Sequence, residues 1–410
     1  MSKTFLKLFQ AIGIEAEYMV VNNISLNIEH GVEGIMRDFN KGEITDYVEL
    51  GEVAISNELV DHVIEFKGKA PLKTVSNGDI LFHKAICDVM ANLHKNGLTL
   101  LGSAMHPWMN PLEMKLWPFG QNEIYQTYDR IFGCQGHGWC NLQSVHINLP
   151  FADEKEFTKL HHAVRLIMPL IPRLAAASPV FEGKLGALPT NRLKFYENNQ
   201  RKVPSITGKV IPPAHQDYAS YYQMLEGMFQ EIKPHDPEGV LSGPWLNSHG
   251  AIAKFDVQAI EIRIMDIQEC PLMDFAIVQF VELLLKNLLS GLWGPIEKFS
   301  QINTDLLRTV YDNANSWQDQ ILPLEYSNLF SSQKNRSINL NTLLQCLFED
   351  VRGKMDQRYA MAISFLLTKG NLSQRIKSQL APTIERQQLH QIYQQLQHCL
   401  QNNVPFLWNS

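Results

Sequence analysis

Glu15 and Glu17 stand two residues apart in a segment, residues 12–21, where apolar and polar positions alternate. A strand of that pattern sends both carboxylates from one face and Ile14, Ala16 and Tyr18 from the other. Residues 257–266 repeat the device, with Glu261 and Arg263 on one face and Ile260, Ile262 and Ile264 on the opposite one. Ser144, His146 and Asn148 likewise share a face ahead of Pro150, opposite Val145, Ile147 and Leu149. Glu65, between Ile64 and Phe66 in a further strand-like run (59–67), can join the same surface. The wet face of an ordinary antiparallel sheet mixes Lys, Thr, Ser and Glu. This one gathers carboxylates, one histidine and one arginine, and carboxylates brought together repel unless cations sit between them. Oxygen donors with a single imidazole suit Mg²⁺ or Mn²⁺, and a set without cysteine disfavours structural zinc. Mg²⁺ so held keeps positions for water and substrate phosphates, and Arg263 offers a fork for a phosphoryl oxygen. The chemistry such a set can do is phosphoryl transfer. Neither a G-x-x-x-x-G-K-[ST] loop nor a kinase Gly-rich loop supplies the phosphate cradle.

The elements that must position these groups are legible in outline. Helical spacing predicts a helix over 74–95, closed by Asn96-Gly97, and then a short strand over 98–101. Asp153 with Glu156 marks a helix start, and the following apolar stripe predicts a helix kinked near Pro169 and Pro172. Residues 197–216 read as a long loop or lid and 239–254 as turn-rich. An apolar stretch, 275–289, is broken by Gln279, Glu282, Lys286 and Asn287, as in a buried helix and not a membrane span. Beyond about residue 300 only helices are expected, the last over 386–403. This organisation divides into a catalytic sheet domain over 1–300 and a helical region over 301–410 packed on the same domain.

A net charge of −6 lacks the footprint of a non-specific nucleic-acid or anionic-membrane binder. Six cysteines without a C-x-x-C pair suit a reducing cytosol, so a cytoplasmic location is expected. Glu15 and Glu17 cut short the apolar run near the start, and no signal peptide is expected. Cys134 to Cys140 reads as a Gly-rich turn, His161-His162 as a solvated or partly packed pair, and Trp108, Trp117 and Phe119 as packing.

The same segments resemble the glutamate–cysteine ligases of the second bacterial type, also called carboxylate–amine ligases. The resemblance is carried by GIEAEY (13–18), ELVDHVIE (58–65), GSAMHP (102–107), SVHINLP (144–150), ASPVFEG (177–183), Arg192, EIRIMD (261–266) and GNLSQR (370–375), in the family's order. It implies an α+β, glutamine synthetase-like fold: a curved, largely antiparallel sheet forming a funnel, with helices packed outside. It also implies ATP and divalent cations, Mg²⁺ or Mn²⁺, in that funnel. Glu15, His146 and Glu261 would hold one ion, and Glu17, Glu58 and Glu65 another. Glu58 and Glu65 differ by an odd number, so a turn or bulge must separate them. Arg263 would steady the transferring phosphoryl group, Arg192 would hold a phosphate or a substrate carboxylate, and His106 would contribute to the nucleotide-site wall.

The implied reaction is amide formation through an acyl phosphate, with γ-glutamylcysteine as the reference product and small amino acids as partners. A homo-oligomer is compatible with this. A metal-dependent amide hydrolase and a non-catalytic binding protein on the same scaffold are the alternatives. Three departures bear on the substrates. The family's paired histidines appear as Ser144 and His146, its Trp-x-x-Arg-Pro stretch as Trp245 to His249, and its Gly-Tyr-x-Ser pattern before Arg192 as Gly186 to Asn191.

Overall fold

The computed structural model describes residues 5–300, 302–330 and 337–408. Its strands, in chain order, are β1 (Gly13–Asn22), β2 (Tyr47–Leu50), β3 (Val53–Asn57), β4 (Val63–Gly68), β5 (Leu98–Leu101), β6 (Ser144–Pro150), β7 (Val180–Phe181), β8 (Lys184–Leu185), β9 (Ala251–Lys254) and β10 (Ala259–Asp266). Eight make one sheet in the order β2-β3-β4-β1-β6-β10-β9, with β5 pairing along the C-terminal part of β1. Every pairing in it is antiparallel. β7 and β8 form a separate hairpin.

β1 is the long central strand because its alternation is strict where it matters. Ile14, Ala16 and Tyr18 are buried on one side, while Glu15 and Glu17 leave from the other. The helix Pro271–Leu289 runs through the core against the helices Gly78–His94, Glu154–Ile167 and Gln357–Lys369. It is buried almost all round, which is why its sequence shows no polar face. No helix among the described residues is long and apolar enough to cross a membrane.

The helices from Thr304 onward dock onto this core through buried polar ties. The Tyr359 hydroxyl donates to Asp79 Oδ1 at 2.7 Å. Arg375 Nη1 lies 2.5 Å from Glu269 Oε1, and both side chains are within 2% of full burial. The same Glu269 oxygen accepts the Phe406 N–H at 2.9 Å. One knot thus joins the segment after β10, the helix Leu372–Ser378 and the chain's last described turn.

Several expectations change in detail. The strand foreseen over 59–67 starts only at Val63; before it, Val60 makes a lone bridge to Leu116. The hairpin β2–β3 was not foreseen, nor was β9, which lies inside the turn-rich stretch. Residues 197–216 are irregular, as expected, but they are a packed wall and not a loose lid: Val203, Ile206, Val210 and Ile211 are fully buried. Cys134 to Cys140 contains one helical turn, His137–Cys140, with both thiols buried and their pKa values pushed up by that burial.

His161 and His162 are not solvated; each is almost wholly buried. His161 faces His215, with ring centroids 5.2 Å apart. Both nitrogens of His161, Nε2 of His215 and Nδ1 of His249 make no hydrogen bond. Burial, then the nearby Arg165 charge, pushes His215 down from 6.5 to about 4. Above roughly pH 6.5 the ring is neutral whether folded or not, and its contribution to stability is intact. Between there and about pH 4 the unfolded chain takes a proton that the folded chain refuses, so that contribution is lost as pH falls. His215→Phe removes this one term. Its stability relative to the parent is expected to improve by about 2 kcal/mol between roughly pH 7.5 and 5. Melting curves that stay parallel across that window would refute it.

Candidate active site

The sheet register brings the acidic positions of β1, β4 and β10 and the imidazole of β6 onto one surface. Glu15 stands opposite Lys67 of β4 on one side and His146 of β6 on the other. Glu17 stands opposite Glu65, and Glu261 opposite Asn148. Side chains close the set. His146 Nδ1 lies 3.0 Å from Glu15 Oε2, and Asn148 Nδ2 donates to Glu15 Oε1 at 3.1 Å. The Ser144 N–H and hydroxyl donate to Glu17 Oε2 at 2.7 and 3.0 Å, and the Ser56 hydroxyl donates to Glu65 Oε2 at 2.6 Å.

This face of the sheet is roofed, not wet. Glu261 is 2% exposed, Glu65 5% and His146 7%, so their mutual repulsion is little screened by water. Glu65 is accordingly raised by burial and then by the charge of Glu15. Glu58 is raised well above the carboxylate range by burial, then by Glu17 and Glu65. Glu15 goes the other way: burial opposes its charge, but the His146 hydrogen bond and charge, then Lys254 and Lys67, hold it far down.

Two lysines act as counter-ions inside the cluster. Lys67 Nζ is 2.5 Å from Glu65 Oε2. Lys254, at the end of β9, pairs with Glu261 and reaches within 3.7 Å of Glu15 Oε1. Lys67 could have been read from the sequence, two residues beyond Glu65 on the same strand face. Lys254 could not, because nothing marked β9 as a strand.

The structure groups the expected metal donors differently from the expectation. Glu15, Glu65 and His146 each offer a ligand atom, and these lie within 4.8 Å of one another. Two carboxylates and an imidazole at that spacing fit a divalent cation of the Mg²⁺ or Mn²⁺ type. Glu261 borders the group, its Oε1 3.9 Å from His146 Nδ1. Glu58 lies in the connection between β3 and β4, so its odd separation from Glu65 is no obstacle; it stands apart from the three donors, half-buried, beside Glu17.

Arg263 Nε is 3.2 Å from Glu261 Oε1, which leaves the outer guanidinium nitrogens unengaged by that carboxylate. A bulge falls here: Ile262 is opposite Ile147 but Met265 is opposite Val145, so β10 carries one extra residue at Arg263–Ile264. Such an insertion bends the strand and re-aims its side chains. Arg192 is anchored more deeply, its Nε 2.6 Å from Asp266 Oδ1 with both side chains within 2% of full burial. Asp266 also accepts from Ala177 N, Ser178 Oγ and Thr190 Oγ1, so it is a fixed platform for Arg192.

The surface opens into a cavity of about 380 Å³, whose walls include Glu17, Glu58, His146, Arg192 and Arg263. Aromatic residues that the sequence reading did not assign to the site, Tyr125, Tyr128, Trp139, Tyr196 and Trp245, complete it. His106 is not part of this wall. Its Nε2 bonds the Leu26 carbonyl at 2.7 Å and its Nδ1 accepts the Trp108 N–H at 3.3 Å. Burial holds it neutral, down at about 3. That is a satisfied core histidine, and the expected nucleotide contact is withdrawn.

Comparison with known proteins adds four findings. The sequence model of the glutamate–cysteine ligase family 2 matches residues 11–394. An uncharacterized protein of Archaeoglobus fulgidus is 30% identical over 396 residues, 97% of this chain and 100% of that one. A glutamate–cysteine ligase of Haloquadratum walsbyi is 21% identical over 323 residues, 75% of this chain and 76% of its own. Among solved structures, the glutamate–cysteine ligase of Francisella tularensis in complex with AMP shares the fold, with a TM-score of 0.58 at 14% identity, covering 97% of this chain and 90% of that one.

Proposed function

The chain belongs to the glutamate–cysteine ligase family 2, and from that premise we propose that it is an ATP- and Mg²⁺-dependent ligase joining a carboxylate to an amine. The observation that carries this reading is the donor set Glu15, Glu65 and His146 on the sheet face from which His146 and Arg263 open into the cavity. A carboxylate is a poor electrophile because it is anionic. Transfer of the γ-phosphoryl group of ATP to its oxygen releases ADP and leaves an acyl phosphate. An amine nitrogen then attacks the acyl carbon, the carbon–oxygen bond to phosphate breaks, and phosphate departs with the electron pair.

Glu15, Glu65 and His146 would hold a divalent cation, which would supply positive charge to offset that of the phosphates. The chain's own groups do the rest. Arg263, steadied by Glu261, places guanidinium N–H donors toward the phosphoryl oxygens. Arg192, fixed by Asp266, presents a second cation to the cavity for a phosphate or the acid's own carboxylate. Glu58, on the cavity wall beside Glu17, is a carboxylate placed to take, in its ionised form, the proton that the attacking amine must lose. Glutamate and cysteine are the reference substrates.

Hydroxylamine intercepts acyl phosphates whatever the natural amine is. Incubation with ATP, Mg²⁺, hydroxylamine and a panel of amino acids is expected to give a hydroxamate and ADP from at least one acid. EDTA should abolish both, and Mg²⁺ with ATP at about a hundred times their Kd should stabilise the protein by about 2.7 kcal/mol. Amide hydrolysis without ATP would instead favour the hydrolase. Absence of both hydroxamate and ADP across the panel would favour a binding protein.

A further inference from the structure

We infer that Lys254 stands in for a second divalent cation, so that the sheet itself holds one ion per chain; the inference rests on the ligase reading above. The register places this lysine. β9 pairs antiparallel with β10, with Ile252 opposite Glu261. Lys254 lies two residues beyond Ile252, hence on the same face, at the diagonal position from which a long side chain reaches Glu261. The ammonium does reach it: Nζ pairs with Glu261 Oε2 and lies 3.7 Å from Glu15 Oε1. The other Glu261 oxygen faces Arg263 Nε at 3.2 Å. Both oxygens of Glu261 are thus turned to cations that the chain supplies.

This engagement separates Glu261 from the metal donors. Glu15, Glu65 and His146 offer atoms within 4.8 Å of one another, and Glu261 is not of that set. Lys67 differs from Lys254, because the glutamate it pairs with, Glu65, remains among the donors. An ion shared by Glu15, His146 and Glu261, the grouping that the resemblance implies, would sit beside the Lys254 ammonium. Like charges at that range repel strongly where water is scarce. The charge balance agrees. The acids of the site are Glu15, Glu17, Glu58, Glu65 and Glu261, and the cations fixed among them are Lys67, Lys254 and Arg263. Five carboxylates against three cations leave at most two negative charges, which one divalent ion cancels. A lysine suits the place: its flexible stem carries a compact charge, and here a side chain 35% exposed delivers that charge to a carboxylate 2% exposed.

The test adds Mn²⁺ to the full chain without nucleotide and counts bound ions by electron paramagnetic resonance. The parent is expected to bind one Mn²⁺ per chain. Lys254→Met, which keeps most of the stem and removes the charge, is expected to bind two, and Lys254→Arg one. Mn²⁺ should also raise the melting temperature of Lys254→Met by more than it raises the parent's. Lys254→Gln makes the same comparison if Lys254→Met does not fold. Two ions on the parent would overturn the inference while the ligase reading stands, and so would a single ion on the folded uncharged variant. No Mn²⁺ on the parent overturns it as well, and the ligase reading then stands or falls by the hydroxamate assay.

Discussion

Arg263→Ala is expected to lower the ligation rate by about 10³-fold, a loss near 4 kcal/mol in the transition state, while the protein stays folded. The asymmetry follows from the surroundings of the two cavity arginines. The Arg263 side chain is 25% exposed, and Glu261 keeps Lys254 as a partner when Arg263 is removed. The Arg192 side chain is almost wholly buried on Asp266, so its removal confounds catalysis with folding. Arg263 is thus the clean probe of charge stabilisation on the transferring group. The measurement is the rate of ADP release and hydroxamate formation under saturating ATP and acid, beside the melting temperature. A variant retaining more than about a tenth of the parent rate would remove Arg263 from the phosphoryl step.

Glu269→Ala is expected to cost about 3–5 kcal/mol of stability without touching the cavity. Glu269 does not line the cavity, and it binds both Arg375 and the Phe406 N–H from complete burial. Truncating it strands the Arg375 guanidinium away from water, retaining only its bonds to the backbone oxygens of Gly370 and Phe406. A buried charge left without its partner is far more damaging than the net worth of the pair. Chemical denaturation of parent and variant gives the difference directly. A loss under about 1 kcal/mol would mean that the C-terminal segment contributes little to holding the helical region on the core.

The sequence yields the parts of the sheet whose two faces differ in chemistry. In β1, β6 and β10 a run of isoleucines, valines and alanines on one side and Glu, His, Asn or Arg on the other leaves little choice of pairing face. β9 escapes because Ala251-Ile-Ala-Lys254 has small residues and a turn-rich approach, and only its pairing with Ala259 to Ile262 makes it a strand. The cluster was legible because period two fixes which residues share a face, but the partners within it were not. Which glutamates meet depends on register: β4 sets Glu65 against Glu17, which brings it toward Glu15 and His146 and leaves Glu58 in a connection. His161 and His162 were misjudged because the helix carrying them is buried nearly all round, so adjacent positions do not alternate between core and water. The aromatic wall of the cavity gave little signal, since its rings come from elements far apart in the chain and only Trp139 and Trp245 fall in stretches singled out by their motifs.

Lys67 and Lys254 have a consequence for the order of assembly. Most carboxylate clusters this deeply enclosed would resist closure until an ion arrived from solution. Here the chain brings ammonium groups tethered to the same strands, so the sheet can close around its acids unaided. The proposed divalent cation would then load onto a chain already folded, and its removal would leave the fold intact.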